Sequence, residues 1–205
     1  MIKQQLSERF TAKWWDETPL DDQTLQYILD CAYLAPSKQG RYNYNIYVLG
    51  NTEPANDFKK WLYWENTWCL DTVRGKPGEG LRRYNGQVIA PTVLMWVAKE
   101  TNGFETRDDC LISATIAMCS AIEKNVQTGF NSCIGPNEIA SKLSIKGIPI
   151  LCLGLGYAEI DELKHRPVYS NIDKVGFDLS NTDPKITDGH NRKNKPSFQD
   201  LMVFL

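Results

Sequence analysis

The segment Leu111 to Phe130 reads LISATIAMCSAIEKNVQTGF. Apolar or small side chains recur at Leu111, Ala114, Thr115, Met118, Ala121 and Ile122, which is the spacing of a helical face. The other side, Ile112, Ile116 and Cys119, is apolar as well. A helix that is apolar nearly all round must be covered, by its own core or by a partner chain. The spacing predicts one helix over the whole segment, with Asp108 and Asp109 as cap and first-turn acids and Gly129 just beyond its polar end. The chain then passes through Ser132-Cys133-Ile134-Gly135-Pro136 to a second apolar run, Ile148 to Tyr157. Any fold has to bury both runs.

With 205 residues the chain can build one substantial core, and a single domain over 1–205 is expected. A net charge of -2 gives no electrostatic case for nucleic acid or an anionic membrane. No apolar run is long enough to span a bilayer. The opening MIKQQLSERF has no apolar signal-peptide stretch, so a cytoplasmic location is expected. Cysteines occur at 31, 69, 110, 119, 133 and 152 with no CxxC pair, and histidines only at His165 and His190, so no metal site is expected. Several cysteines sit in apolar runs and read as small buried hydrophobes of a reducing compartment. Trp61, Trp64 and Trp68 recur at helical spacing and read as packing residues.

In chain order, residues 2 to 9 suit a short helix. In Arg9-Phe10-Thr11-Ala12-Lys13 the alternate residues Arg9, Thr11 and Lys13 would project from one side of an extended segment. Two cations and a hydroxyl on one side suit a phosphate, or a solvated strand edge. Asp21-Asp22 opens an amphipathic helix with Leu25, Ile28, Leu29 and Ala32 on one face, ending before Ala35-Pro36-Ser37. The polar loop Lys38-Gln39-Gly40-Arg41 leads to a strand over Asn43 to Leu49. Residues 54 to 70 read as helix and 71 to 80, with four proline or glycine positions at 75, 77, 78 and 80, as loop. Leu81 to Gly86 and Ala90-Pro91 precede a buried strand, Thr92 to Ala98. After the long helix come a short one from Asn137 to Leu143, with Asn137 as N-cap, and a strand from Ile148 to Gly154. This order points to a mixed α/β sheet with helices packed on it. Residues 159 to 197 read as a polar extended arm, finished by Leu201 to Leu205, an apolar tail that needs cover.

There is no GxSxG, HExxH or GxxxxGK[ST], and Gly154-Leu155-Gly156 lacks the spacing of a dinucleotide fingerprint. What remains is a dispersed set of phosphate-suited groups, Arg9, Thr11 and Lys13 at one end and Arg192, Lys193 and Lys195 at the other. Such a set needs a cofactor to carry chemistry.

Taken together, these segments resemble the nitroreductase family. Arg9-Phe10-Thr11-Ala12-Lys13-Trp14-Trp15 is similar to its Arg-x-Ser-x-Arg/Lys-x-Phe, and Ala35-Pro36-Ser37 to its Ala-Pro-Ser loop. Ala90-Pro91 resembles its later Ala-Pro, Gly129 to Gly135 its Gly-Leu-Gly-x-x-x-Ile-Gly turn, and Gly156-Tyr157 the end of its last strand. Gly40, Tyr42, Asn43 and Tyr44 depart from the usual Asn, Gln, Pro and Trp.

The resemblance implies an α+β homodimer with a mixed, mainly antiparallel central sheet flanked by helices, and residues 159–205 exchanged as a C-terminal arm. It implies FMN at the subunit interface, with NADH or NADPH as electron donor. Arg9, Phe10, Thr11 and Lys13 would hold the phosphate and ring edge, completed by Arg192 and Lys195. Pro36, Ser37, Lys38 and Gly40 would come from the other subunit, Arg83 and Asn85 would touch the ring edge, and Ser132, Cys133, Ile134 and Gly135 would pass beside the isoalloxazine. The implied activity is ping-pong reduction of a nitroaromatic, quinone or similar small acceptor. A same-fold enzyme with a dedicated substrate (dehalogenase-like or flavin-fragmenting) and a non-catalytic flavin-binding protein are the alternatives.

Overall fold

A computed structural model describes residues 11, 12, 15–66, 82–99 and 104–157, with backbone alone at 82–85, 104 and 105. The described residues belong to one compact unit within Met1–Ala158, and Glu159–Leu205 lies outside the described residues. So do the expected helix over 2 to 9, the glycine-rich loop at 71 to 80, the basic cluster at 192 to 195 and the apolar tail.

Helix α1, Asp22–Tyr33, follows the amphipathic pattern. Asp21 caps it by accepting the Thr24 N–H at 2.8 Å, and Ile28 and Ala32 face fully inward. It stops ahead of Ala35, which precedes a proline. The described strands are β1 (Tyr44–Leu49), β2 (Thr92–Ala98), β3 (Gln127–Asn131) and β4 (Ile148–Gly156). They form a sheet in the order β1-β2-β4-β3 with every neighbouring pair antiparallel. The one parallel contact among the described residues is an isolated bridge between Thr11 and Thr128. The fold is therefore α+β.

Alternation along the strands divides the core in two. Leu94, Trp96, Leu151, Leu153 and Leu155 pack against α1 and against α3, Phe104–Glu123, through Ala114, Ala117, Met118 and Ala121. Val93, Met95, Val97 and Cys152 face the opposite way, onto Phe58 of α2 (Glu53–Trp61), Leu62, Val88, and Ile139 of α4 (Pro136–Leu143). Burial pushes the thiols of Cys110 and Cys152 up to about 12, as expected for packed, inert cysteines. A polar relay ties the first layer together: Trp96 Nε1 donates to Ser113 Oγ at 3.0 Å, and Ser113 donates to the Ala32 carbonyl at 2.9 Å.

The long helix differs from its sequence reading at both ends. It begins at Phe104, so Asp108 and Asp109 lie past the first turn rather than at the cap. It ends at Glu123, because Asn125 takes the left-handed conformation at φ 59°. Val126 N–H then returns to the Ala121 carbonyl at 2.9 Å and Asn125 N–H to that of Ile122 at 3.0 Å, the hydrogen bonds of a Schellman cap. The residues freed beyond it form β3, so Gly129 is a strand residue. In α4, Gly135 occupies the N-cap and Pro136 the first turn, displacing Asn137 from the expected cap. The tryptophan-bearing helix is regular only to Trp61 and continues as a π-type turn, Leu62–Asn66.

Lys59 is almost fully buried, its Nζ donating to the carbonyls of Ala90 at 3.0 Å and Pro91 at 2.9 Å. Burial lowers its pKa from 10.5 to about 8. Between those two values the unfolded chain binds the extra proton, so stability rises with pH across that window. The full gap corresponds to about 3 kcal/mol, which the two carbonyl acceptors reduce by favouring the ammonium, to about 1–2 kcal/mol. Urea melts at about pH 7 and about pH 10 should show this rise in the wild type and not in Lys59→Met.

Candidate functional site

Two glycines face each other across the strands at one end of the sheet, Gly129 in β3 and Gly154 in β4. Neither position has room for a side chain. A Cβ at Gly129 would stand 2.6 Å from Gln87 Cγ and press on the Ala12 carbonyl, and one at Gly154 would run into the Gln87 carbonyl oxygen. The glycines thus let the helical turns Arg82–Ile89 and the segment at Thr11 and Ala12 lie directly on the sheet. Ala12 N–H donates to the Thr128 carbonyl at 3.0 Å, which fixes that segment alongside β3.

The turn after β3 is held by two asparagines. Asn131 Oδ1 accepts the Cys133 N–H at 2.7 Å, closing an Asx turn. Asn66, buried at the end of the π-type turn, clamps Gly135 from both sides: its Oδ1 accepts the Gly135 N–H at 2.9 Å and its Nδ2 donates to the Gly135 carbonyl at 3.2 Å. A side chain at Gly135 would meet Asn66 Nδ2 and a carboxylate oxygen of Glu138, each at 2.6 Å. Three buried polar atoms nearby have no hydrogen-bond partner: Gln87 Oε1, Asn131 Nδ2 and Thr128 Oγ1. Gln87 and Asn131 share the sheet face that carries Gly129, whereas Thr128 alternates to the other.

A second cluster lies on the α3 side. Asp109, buried in α3, accepts Ser37 Oγ–H at 2.8 Å and the Lys38 N–H at 3.0 Å. Ser37 Oγ in turn accepts the Tyr42 N–H at 2.9 Å. The loop between them is tight, with positive φ at Gln39, Gly40 and Tyr42. Beside it lies a cavity of about 390 Å³ lined by Pro36, Ser37, Lys38, Asp108, Asp109 and Ile112. Exposed Tyr33 and Leu34 at the end of α1, and Leu111 and Ile112 midway along α3, add apolar surface.

Of the residues expected at a site, Thr11 and the turn Ser132 to Gly135 lie along β3 and its exit, while Pro36, Ser37, Lys38 and Gly40 form the second cluster. Arg83 and Asn85 lie in the helical turns that carry Gln87, with only their backbones described. Arg9, Phe10, Lys13, Arg192 and Lys195 lie outside the described residues. Sequence reasoning missed Asn66, Gln87, Asp109 as a loop anchor, and Asn131. Among the described residues no cluster of three or more His, Cys, Asp or Glu could hold a metal, and no helix is long and apolar enough to cross a membrane.

The model of the Nitroreductase family matches residues 6–157, three quarters of the chain and every segment just described. The chain belongs to the nitroreductase family. No curated protein matches it. Among solved structures, a nitroreductase family protein from Clostridium novyi NT is similar with a TM-score of 0.65 and 16% identity, covering 78% of this chain and 87% of that one. An FMN- and NADPH-dependent nitroreductase from Sphigopyxis sp. strain HMH, solved as a point mutant, gives 0.64 and 17% over 86% and 97%. A nitroreductase with bound FMN from Desulfitobacterium hafniense DCB-2 gives 0.62 and 18% over 86% and 97%. At these identities the likeness is one of fold.

The residues present suit a flavin. The paired glycines keep side chains off the sheet where Gln87 and Ala12 close in, and the same face holds one orphaned donor, Asn131 Nδ2, and one orphaned acceptor, Gln87 Oε1.

Proposed function

We propose that the protein is an FMN-dependent oxidoreductase that takes a hydride from NADH or NADPH and reduces a small acceptor such as a nitroaromatic or quinone, the two substrates alternating at one site. The observation that carries this reading is the family match, which runs through the β3 turn, the Pro36-Ser37 loop and the N-terminal Thr11 segment together. Bound FMN would supply hydride acceptance and electron delivery. The chain's residues would bind and orient it. Arg9, Phe10, Thr11 and Lys13, with Arg192 and Lys195, would hold the phosphate and ring edge. Arg83 and Asn85 would meet the ring edge, and the turn Ser132 to Gly135 would lie beside the ring.

The reading includes a cytoplasmic homodimer of one domain over 1–205, with 159–205 as an arm. Pro36, Ser37, Lys38 and Gly40 would reach the second subunit's flavin, and the exposed Leu111 and Ile112 of α3 would be covered by the same helix of that subunit. Asp109 engages the Ser37 hydroxyl hydrogen, which gives Ser37 the task of shaping the loop; its neighbour Lys38 brings the charge. The test is the visible absorption spectrum of the purified protein with FMN, before and after anaerobic NADH or NADPH. Flavin bands that bleach with either nicotinamide are expected; protein that stays colourless and does not bind added FMN overturns the proposal.

A further inference from the structure

We infer that Trp15 sets how strongly the protein prefers FMN to riboflavin, by fixing the spacing between the N-terminal segment at Thr11 and Ala12 and the turns Arg82–Ile89. The inference rests on the flavin reading above, in which Thr11 serves the phosphate and Arg83 and Asn85 the ring edge.

The two parts come from distant stretches of chain and meet on one patch of sheet. Ala12 N–H donates to the Thr128 carbonyl at 3.0 Å and Asp16 N–H to the Tyr157 carbonyl at 2.7 Å, so the segment is fastened at both ends, beside β3 and just past β4. The turns lie on the neighbouring glycines. The Gln87 carbonyl takes the space over Gly154, and Gln87 Cγ shares the space over Gly129 with the Ala12 carbonyl. One side chain joins segment and turns directly: Trp15 Nε1 donates to the carbonyl of buried Gly86 at 2.8 Å, across 71 residues of sequence. The indole is itself held in place. It packs against the core layer of Val93, Met95 and Val97, with Cε3 3.0 Å from where a Cβ at Gly156 would stand. Trp15 occupies the position of Phe in the family's N-terminal pattern, and Phe has no N–H, so the link belongs to this chain rather than to the pattern. A ligand that reaches two sites binds its second end at an effective concentration set by how well their spacing is held. FMN carries a phosphate and a ring, so a fixed spacing strengthens its binding and lowers the ordering it must impose. Riboflavin carries the ring alone and gains nothing from the spacing. Trp15 is thus a positioning residue that acts through Thr11 and the turns. A role in packing alone would change stability without separating the two flavins.

The test is a fluorescence titration of the wild type and Trp15→Phe with FMN and with riboflavin. The variant keeps an apolar ring and removes the donor. The wild type should bind FMN the more tightly. Trp15→Phe should weaken FMN about tenfold, the size of one lost hydrogen bond, and riboflavin less than about twofold. A second measurement needs no variant. Coupling between sites is reciprocal, so saturating FMN should slow solvent exchange of the Trp15 indole N–H more than saturating riboflavin does. Equal losses for the two flavins in Trp15→Phe, no loss for either, or equal protection of the indole N–H by both overturns the inference. A wild type that binds FMN and riboflavin equally also overturns it and leaves the flavin reading standing. A wild type that binds neither overturns both.

Discussion

Gly154→Ala should destabilise the protein by about 3 kcal/mol, lowering the melting temperature by roughly 6–12 °C, with Gly154→Val worse. The added Cβ would run into the Gln87 carbonyl and lie 3.0 Å from the Ala90 side chain. A flexible side chain could swing away from such a contact, but a backbone carbonyl moves only with its helix. Relief therefore lifts the turns Arg82–Ile89 off the sheet and takes Gln87 with them. Gly50→Ala is the control: its Cβ would meet nothing within 4 Å, and its melting temperature should stay near the wild-type value. Thermal denaturation of the two variants side by side checks the prediction, and equal melting temperatures would refute it.

Asn66→Ala should cost about 3 kcal/mol. It leaves both the N–H and the carbonyl of Gly135 in a buried turn without their side-chain partner, and each unmatched group costs about 1–3 kcal/mol. The longer contact from Gly135 N–H to the Asn66 carbonyl, at 3.3 Å, survives and limits the loss. Asn66→Asp should cost at least as much in urea melts: its carboxylate still accepts from Gly135 N–H, but it buries a charge and sets its second oxygen against the Gly135 carbonyl. A flat response across the three proteins would mean that the turn is held from elsewhere. The loosened turn should also show faster amide exchange at Gly135, whose N–H Asn66 holds.

Much of the fold was legible because one residue type decided the matter locally. Thr92 to Ala98 is a run of buried strand formers and matches β2 residue for residue; Asp21 caps α1 as its position before an amphipathic run suggests. The error at β3 has a physical cause. Val126 and Phe130 continue the apolar content of α3 past its true end, so hydrophobicity alone does not separate a helix from the strand that follows it. Asn125 is the signal that could have done so, being one of the few residues other than glycine that ends helices in the left-handed conformation.

The site was harder to read. The turn Ser132 to Gly135 carries glycine and proline punctuation, and Pro36-Ser37 breaks a helix, so both stand out in a linear reading. Asn66 and Gln87 act across the sheet on residues far away in sequence and sit in no pattern. Asp109 looks like an acid at a helix start, yet what decides its role is Ser37, brought to it by the packing of α1 on α3.

The bridge between Thr11 and Thr128 has one further consequence. β3 is an end strand of the described sheet, and a bare end strand offers its backbone to any other extended chain. The Ala12 N–H occupies the Thr128 carbonyl on that outer side, so the N-terminal segment guards the protein against edge-to-edge aggregation. A fusion or truncation that disturbs Thr11 and Ala12 would strip this guard along with the groups proposed to bind phosphate, and colloidal behaviour would change together with ligand binding.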